Sequence, residues 1–119
     1  MSDPCSILIV EDEPLIAMML EDFVEGLGYQ VSATCESVGD ALAKVAQGGF
    51  DLAILDVHLQ GETIWPVAEA LRERNVPFVL ATGGHVDPPP AEFESVAVLE
   101  KPYTIERVES AIGATLARA

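Results

Sequence analysis

Five side chains in this sequence are of the types that handle phosphate and divalent cations. Glu11 and Asp12 close the apolar run of ILIVEDEP (Ile7 to Pro14), Asp56 lies within DLAILDVHLQGE, Thr82 within LATGG and Lys101 within LEKPYT. Each stands at the end of a short hydrophobic segment, where a strand would stop. Carboxylates gathered at such ends repel one another unless positive charge sits between them. An oxygen-only donor set with few protein ligands suits Mg²⁺, which keeps several of its waters. An ion held by so few groups leaves positions open for a phosphoryl group. Asp56 is then the nucleophile, because a carboxylate can carry a phosphoryl group as an acyl phosphate. Lys101 and Thr82 would meet the phosphoryl oxygens, one by charge and one by hydrogen bond.

That chemistry needs a scaffold that brings distant positions together. Apolar runs at Ser6–Val10, Gln30–Thr34, Asp51–Leu55, Val76–Ala81 and Val96–Leu99 alternate with segments of helical period. Such alternation predicts a parallel sheet covered by helices, and unbroken apolar runs fit strands buried on both faces. The first helix opens at Pro14 and closes at Gly28, with Leu15, Ile16, Met19, Leu20, Phe23, Val24 and Leu27 directed inward. A second starts at Ser37, turns Val38, Ala41, Leu42 and Val45 inward and stops at Gly48 and Gly49. A third spans roughly residues 63–74, and the last follows Thr104, burying Ile105, Val108, Ile112 and Leu116. Between the fourth and fifth strands, GGHVDPPPAEFES (Gly83 to Ser95) carries three successive prolines, so a helix there is short, irregular or absent. In an open sheet of this kind ligands bind beyond the carboxyl ends of the strands. All five side chains fall there.

The 119 residues suit one domain, 1–119, with no attached output domain expected. Twenty acidic against six basic residues give a net charge of −14, which disfavours nucleic acid and anionic membranes as partners and favours a cation or a cationic protein patch. No apolar run is long enough to span a bilayer and the start, MSDPCS, lacks the parts of a signal peptide, so a cytoplasmic location is expected. Cys5 and Cys35 have neither CxxC spacing nor companion ligands and read as small buried thiols.

Taken together and in order, ILIVEDEP, DLAILDVHLQGE, LATGG and LEKPYT resemble the four signature segments of the response-regulator receiver domain of two-component signalling. The resemblance covers essentially the whole chain. It implies a flavodoxin-like, doubly wound, five-stranded sheet in the order 2-1-3-4-5, phosphorylated by a histidine kinase or a phosphotransfer protein. It assigns Glu11 and Asp12 to the metal, Asp56 to the phosphoacceptor, the backbone carbonyl of His58 to the third protein ligand, Thr82 to the switch hydroxyl and Lys101 to the phosphate. Gly61 matches the small residue closing the loop after the acceptor strand. The chain departs from the family where an aromatic residue usually stands three positions before the lysine: here it is Val98. PFVLATGG further resembles a stand-alone receiver subgroup of alphaproteobacteria marked by P-F-x-F-A-T-G, with Leu80 in place of the second Phe. The expected output is a protein contact through the 83–95 loop, the fifth strand and the last helix, with the loop carrying much of the phosphorylation response, or else service as a phosphate sink for a kinase.

Plainer roles compete for the same residues. Glu11 to Glu13 suit a helix start, Asp56 and Thr82 suit turns, His85 has no partner spacing, and Trp65 and Tyr103 fit partly buried packing, with Tyr103 the better interface candidate of the two. Lys101 has no comparably simple role. A rival function is a Mg²⁺-dependent phosphatase or phosphotransferase working through an aspartyl phosphate. Such enzymes usually carry a second Asp two residues after the nucleophile, where this chain has His58. A pseudo-receiver that binds partners without phosphorylation is a third reading, and the intact Asp, Thr and Lys set argues against it. The expectation is therefore a phosphoacceptor and not an enzyme.

Overall fold

A computed structural model gives the fold and describes residues 5–59, 61–82, 93, 96–100 and 103–118, with His58 and Arg118 described by their backbone alone. Among the described residues the elements are β1 (Ser6–Val10), α1 (Pro14–Gly26), β2 (Gln30–Cys35), α2 (Val38–Gln47), β3 (Leu52–Asp56), β4 (His58–Leu59), β5 (Glu62–Thr63), α3 (Trp65–Glu73), β6 (Phe78–Thr82), β7 (Val98–Glu100) and α4 (Ile105–Arg118). The main sheet has the order β2-β1-β3-β6-β7 and every pairing in it is parallel. Counting principal strands alone, this is the expected 2-1-3-4-5 order, because β4 and β5 form a separate two-stranded hairpin. Whether the 83–95 stretch carries a helix lies outside the described residues, as do Lys101, Pro102 and His85.

Side-chain alternation divides the core into two layers. Leu8, Val10, Ala53, Leu55 and Leu80 face α2 and α3, meeting Val38, Ala41, Val45, Val67, Ala68 and Leu71. Ile7, Ile9, Leu52, Ile54, Val79, Ala81 and Leu99 face the other way, against Leu20 and Val24 of α1 and Val108 and Ile112 of α4. Strands β3 and β6 are buried at every residue, which is why their sequences read as unbroken apolar runs.

Helix ends follow their local chemistry. Ser37 caps α2 by accepting from the Asp40 amide at 3.1 Å, and Thr104 accepts from the Arg107 amide at 3.2 Å at the start of α4. Helix α1 ends with Tyr29 N–H donating to the Val24 carbonyl and Gly28 N–H to that of Glu25. This paired closure needs a left-handed residue, and Gly28 supplies it at φ 92°. Helix α3 closes in the same way with Asn75 at φ 59°, the one described non-glycine residue with positive φ.

The structure corrects several sequence expectations. Leu15 is 81 % exposed and not inward: at about 100° per residue it falls opposite the Ala17, Leu20 and Val24 stripe that α1 buries. Leu42 and Ile105, also expected inward, are exposed at the margins of their helix faces. Strand β6 begins at Phe78 instead of Val76, and Asp51 stands before β3, accepting from the Ser6 amide at 2.8 Å through its carboxylate. Cys35 is buried as expected, whereas Cys5 is only half-buried. Burial is the first cause raising both thiols above their ordinary value, with Asp51 adding to it at Cys5 and Asp40 at Cys35. No described helix is long and apolar enough to cross a membrane.

Leu55 is fully buried on the central strand and Ser37 caps an exposed helix end. Leu55→Ala should lower the unfolding free energy by about 3 kcal/mol and Ser37→Ala by about 1 kcal/mol. Urea denaturation followed by circular dichroism checks both, and equal losses would contradict the layer assignment.

Candidate functional site

Strands β1 and β3 are neighbours, and their last paired residues are Val10 and Leu55. One step further the chain delivers Glu11 from one strand and Asp56 from the other, side by side at the carboxyl edge. The turn into α1 then brings in Asp12. One ligand atom from each of Glu11, Asp12 and Asp56 lies within 4.8 Å of the others. Glu11 is 1 % and Asp56 5 % exposed, while Asp12 is half-buried.

Backbone bonds hold this edge in place. The Glu11 amide donates to the Cys35 carbonyl at 2.9 Å, and the Glu13 amide donates to a Glu11 carboxylate oxygen at 3.1 Å. Glu13 itself is exposed and makes no side-chain cap, so of the acidic triplet it alone matches the simple helix-start reading. On the far side of Asp56, β6 pairs Ala81 with Asp56, and the Val57 amide donates to the Ala81 carbonyl at 3.0 Å. Thr82, 5 % exposed, comes one residue later and is itself paired with Glu100 at the end of β7. Glu11, Asp12, Asp56 and Thr82 thus share one rim. Lys101, next after Glu100 in sequence, is outside the described residues.

The loop after Asp56 contains an element that sequence reading missed. His58 and Leu59 pair with Thr63 and Glu62 in a short antiparallel hairpin, turned through Gly61 at φ 82°. Gly61 was the one available signal in the sequence. Val57, Leu59 and Ile64 anchor the hairpin in the core, and the Ile64 amide donates to the Val57 carbonyl at 3.2 Å. The loop that would surround a phosphoryl group is therefore fastened from below.

Of the two roles open to Tyr103, packing and an interface, the structure shows packing: it is 5 % exposed and shares a core layer with Leu20, Val24, Leu99, Val108 and Ile112. Its phenol is pushed far above its ordinary range, first by burial and then by the charges of Glu11, Asp56 and Glu13. Trp65 is half-buried and stacks on Phe93 with ring centroids 5.8 Å apart, a packing role.

The pocket fits a small hard cation. Six oxygens at about 2.1 Å from Mg²⁺ lie roughly 3–4 Å from one another, close to the spread of the three carboxylates. All the side-chain donors are oxygen, and three protein carboxylates leave coordination positions for water and substrate. Glu11, Asp12 and Asp56 are the residues that would hold it.

Known proteins share this architecture. The sequence profile of the response regulator receiver domain matches residues 7–113. TorR, the TorCAD operon transcriptional regulatory protein of Escherichia coli K12, is 39 % identical over 82 residues, covering 67 % of this chain and 35 % of TorR. The chain thus spans about a third of that relative's length. SdrG from Sphingomonas melonis Fr1 is 54 % identical, with 98 % of this chain and 99 % of SdrG aligned at a TM-score of 0.87; its BeF3-activated conformation aligns at 0.81. The receiver domain of PhyR from Erythrobacter litoralis is 29 % identical and aligns at 0.84 over 96 % of this chain and 91 % of that domain.

Crowded carboxylates should make the metal-free protein less stable than its core allows. In EDTA, Asp12→Asn should raise the unfolding free energy by about 1 kcal/mol by removing one repelling charge. Saturating Mg²⁺ should stabilise the wild type by about 2–3 kcal/mol and the variant by clearly less. Thermal melts with and without Mg²⁺ test this, and a wild type indifferent to Mg²⁺ would count against the pocket.

Proposed function

Because the chain belongs to the response regulator receiver domain family, we propose that it accepts a phosphoryl group on Asp56 from a histidine kinase or a histidine phosphotransfer protein. The observation that carries this reading is the cluster of Glu11, Asp12 and Asp56 within 4.8 Å at the joined ends of β1 and β3. Bound Mg²⁺ would supply charge neutralisation and polarise the phosphoryl oxygens. Glu11, Asp12, Asp56 and the backbone carbonyl of His58 are its proposed protein ligands.

The reacting carboxylate is Asp56. One of its oxygens attacks phosphorus while the bond from phosphorus to the donor imidazole nitrogen breaks, its electron pair returning to the ring. The product is an acyl phosphate fixed at the end of a strand that is buried along its length. Thr82 is placed one residue past the strand partner of Asp56, where its hydroxyl can donate to a phosphoryl oxygen, and Lys101 is assigned the balancing positive charge. Phosphorylation biases only states that differ in their contacts with the new group, and these two side chains are the proposed sensors.

Output is a protein contact. A groove of about 390 Å³ runs along β7 and α4, lined by Val98, Glu100, Arg107 and Ala111 among others, and Val98 is 50 % exposed. This supports β7 and α4 as the partner face, joined by the 83–95 loop. The existence of a BeF3-activated conformation of SdrG supports activation by a phosphoryl group on the acceptor carboxylate.

Incubation with acetyl phosphate and Mg²⁺ should yield a single phosphoryl adduct by intact-mass spectrometry. The adduct should be absent in Asp56→Asn and form more slowly in Thr82→Ala. A folded wild type that takes no phosphoryl group with Mg²⁺ present, or an adduct surviving in Asp56→Asn, rules the assignment out.

A further inference from the structure

The backbone that follows the acceptor carboxylate has little freedom. Val57 alone separates Asp56 from the β4–β5 hairpin, and its amide donates to the Ala81 carbonyl at 3.0 Å. Val57 and Leu59, 5 % and 0 % exposed, both enter the core layer of α2 and α3, as does Ile64 just after the second hairpin strand. Inward anchors on either side of His58 fix the rotation of its peptide units about the strand axis. The pairing of His58 with Thr63, and the bond from the Ile64 amide to the Val57 carbonyl at 3.2 Å, close the frame. A two-stranded hairpin standing alone is marginal in water, so this one depends on its anchors and on its turn.

The turn passes through Gly61 at φ 82°, a region that a residue with a Cβ enters only at a cost. A Cβ built there would meet nothing within 4 Å, so the cost of a side chain is one of backbone conformation and not of space. Gly28, at φ 92° and with equally open surroundings, makes the same demand between α1 and β2, at the opposite edge of the sheet from the acids. Elsewhere the chain meets a similar demand with an asparagine, Asn75 at φ 59°. Two positions of like conformation thus differ in one respect, their distance from the acidic site.

We propose that Gly61 is a positioning residue of that site: by letting the β4–β5 hairpin stay closed it keeps the His58 carbonyl in one orientation, and so sets how tightly the site takes a divalent cation. The proposal rests on the reading of Glu11, Asp12, Asp56 and the His58 carbonyl as cation ligands. A cation that binds only the closed hairpin has its affinity reduced in proportion to the fraction of protein that is closed. Strain at position 61 lowers that fraction, because opening the hairpin relieves it. Glu62 and Thr63 are exposed, so opening takes no side chain of the outer strand out of the core.

Substitutions at the two glycines test this. Gly61→Val should bind Mg²⁺ about tenfold more weakly than the wild type in a calorimetric or amide-shift titration, Gly61→Ala should fall between the two, and Gly61→Asn should stay within about twofold, the order in which these residues tolerate positive φ. Gly28→Ala should lower the melting temperature of the metal-free protein at least as much as Gly61→Ala does, and leave Mg²⁺ affinity as it is. In the metal-free wild type the Ile64 amide should be protected from hydrogen exchange, and Gly61→Val should remove that protection while the amides of β1 keep theirs. If Gly61→Val does not fold, Gly61→Ala against Gly61→Asn makes the same comparison. Equal Mg²⁺ affinity across the series at position 61, or an equal fall in Gly28→Ala, overturns the proposal and leaves the cation site standing. A wild type that takes no Mg²⁺ at all removes the cation site itself and the proposal with it.

Discussion

Three carboxylates confined within 4.8 Å at the ends of two adjoining strands are the constraint to which the rest of the structure answers. Each like-charged pair at such a distance costs on the order of a few kcal/mol in a partly buried setting. Flexible side chains on loops would escape that cost by moving apart. Here the backbone forbids it: β1 and β3 run in parallel register from Ile7 and Leu52 to Val10 and Leu55, and Glu11 and Asp56 follow immediately. The opposite ends of the same two strands are tied by the Asp51 carboxylate, which accepts from the Ser6 amide, and by the Asp51 amide, which donates to the Ser6 carbonyl at 2.7 Å. Apolar burial on both faces of β3 offsets the crowding at its tip. A pocket that is unfavourable when empty of cations is one that a cation can stabilise.

Most of this arrangement was legible in the sequence because it depends on patterns of period two and period 3.6. Strands β3 and β6 are buried at every position and so announce themselves as apolar runs, and the residues at their ends follow from the rule for open α/β sheets. The failures have identifiable causes. Leu15 belongs to the apolar series of α1 by composition but not by angle, and residue type alone does not reveal which of several overlapping stripes is buried. The strand at Val76 starts late because Pro77 lacks an amide for the ladder, although its carbonyl still accepts from the Ala53 amide at 3.2 Å. The β4–β5 hairpin is too short to carry a periodic signal, and only Gly61 marks it. The inward turn of Tyr103 is a tertiary fact: nothing local to Tyr103 and Thr104 distinguishes a buried aromatic from an exposed one.

The aromatic residues show how the fold is fastened near the site. Phe93, 1 % exposed, packs on Trp65 and edge-on to Phe78 in the layer of α2 and α3. Tyr103 occupies the opposite layer, with Leu99 of β7 beside it. The stretch that carries β7 is thus held by one aromatic ring on each face of the sheet. Val98, at the position where the family usually has an aromatic, is half exposed on that strand and makes no comparable anchor.

That distribution bears on how a charge placed on Asp56 could be felt elsewhere. A new group shifts an equilibrium only by as much as its contacts differ between two states. Val98 offers neither a ring to exchange between buried and exposed positions nor a polar atom to bond. Thr82 ends β6 and is paired with Glu100, so a pull on its hydroxyl acts on the junction of β6 and β7. Tyr103 follows β7 and Phe93 precedes it, and both are already committed to packed layers. The physical consequence is that a shift of β7 would have to disturb two packed aromatic rings as well as Leu99, which is buried on that strand.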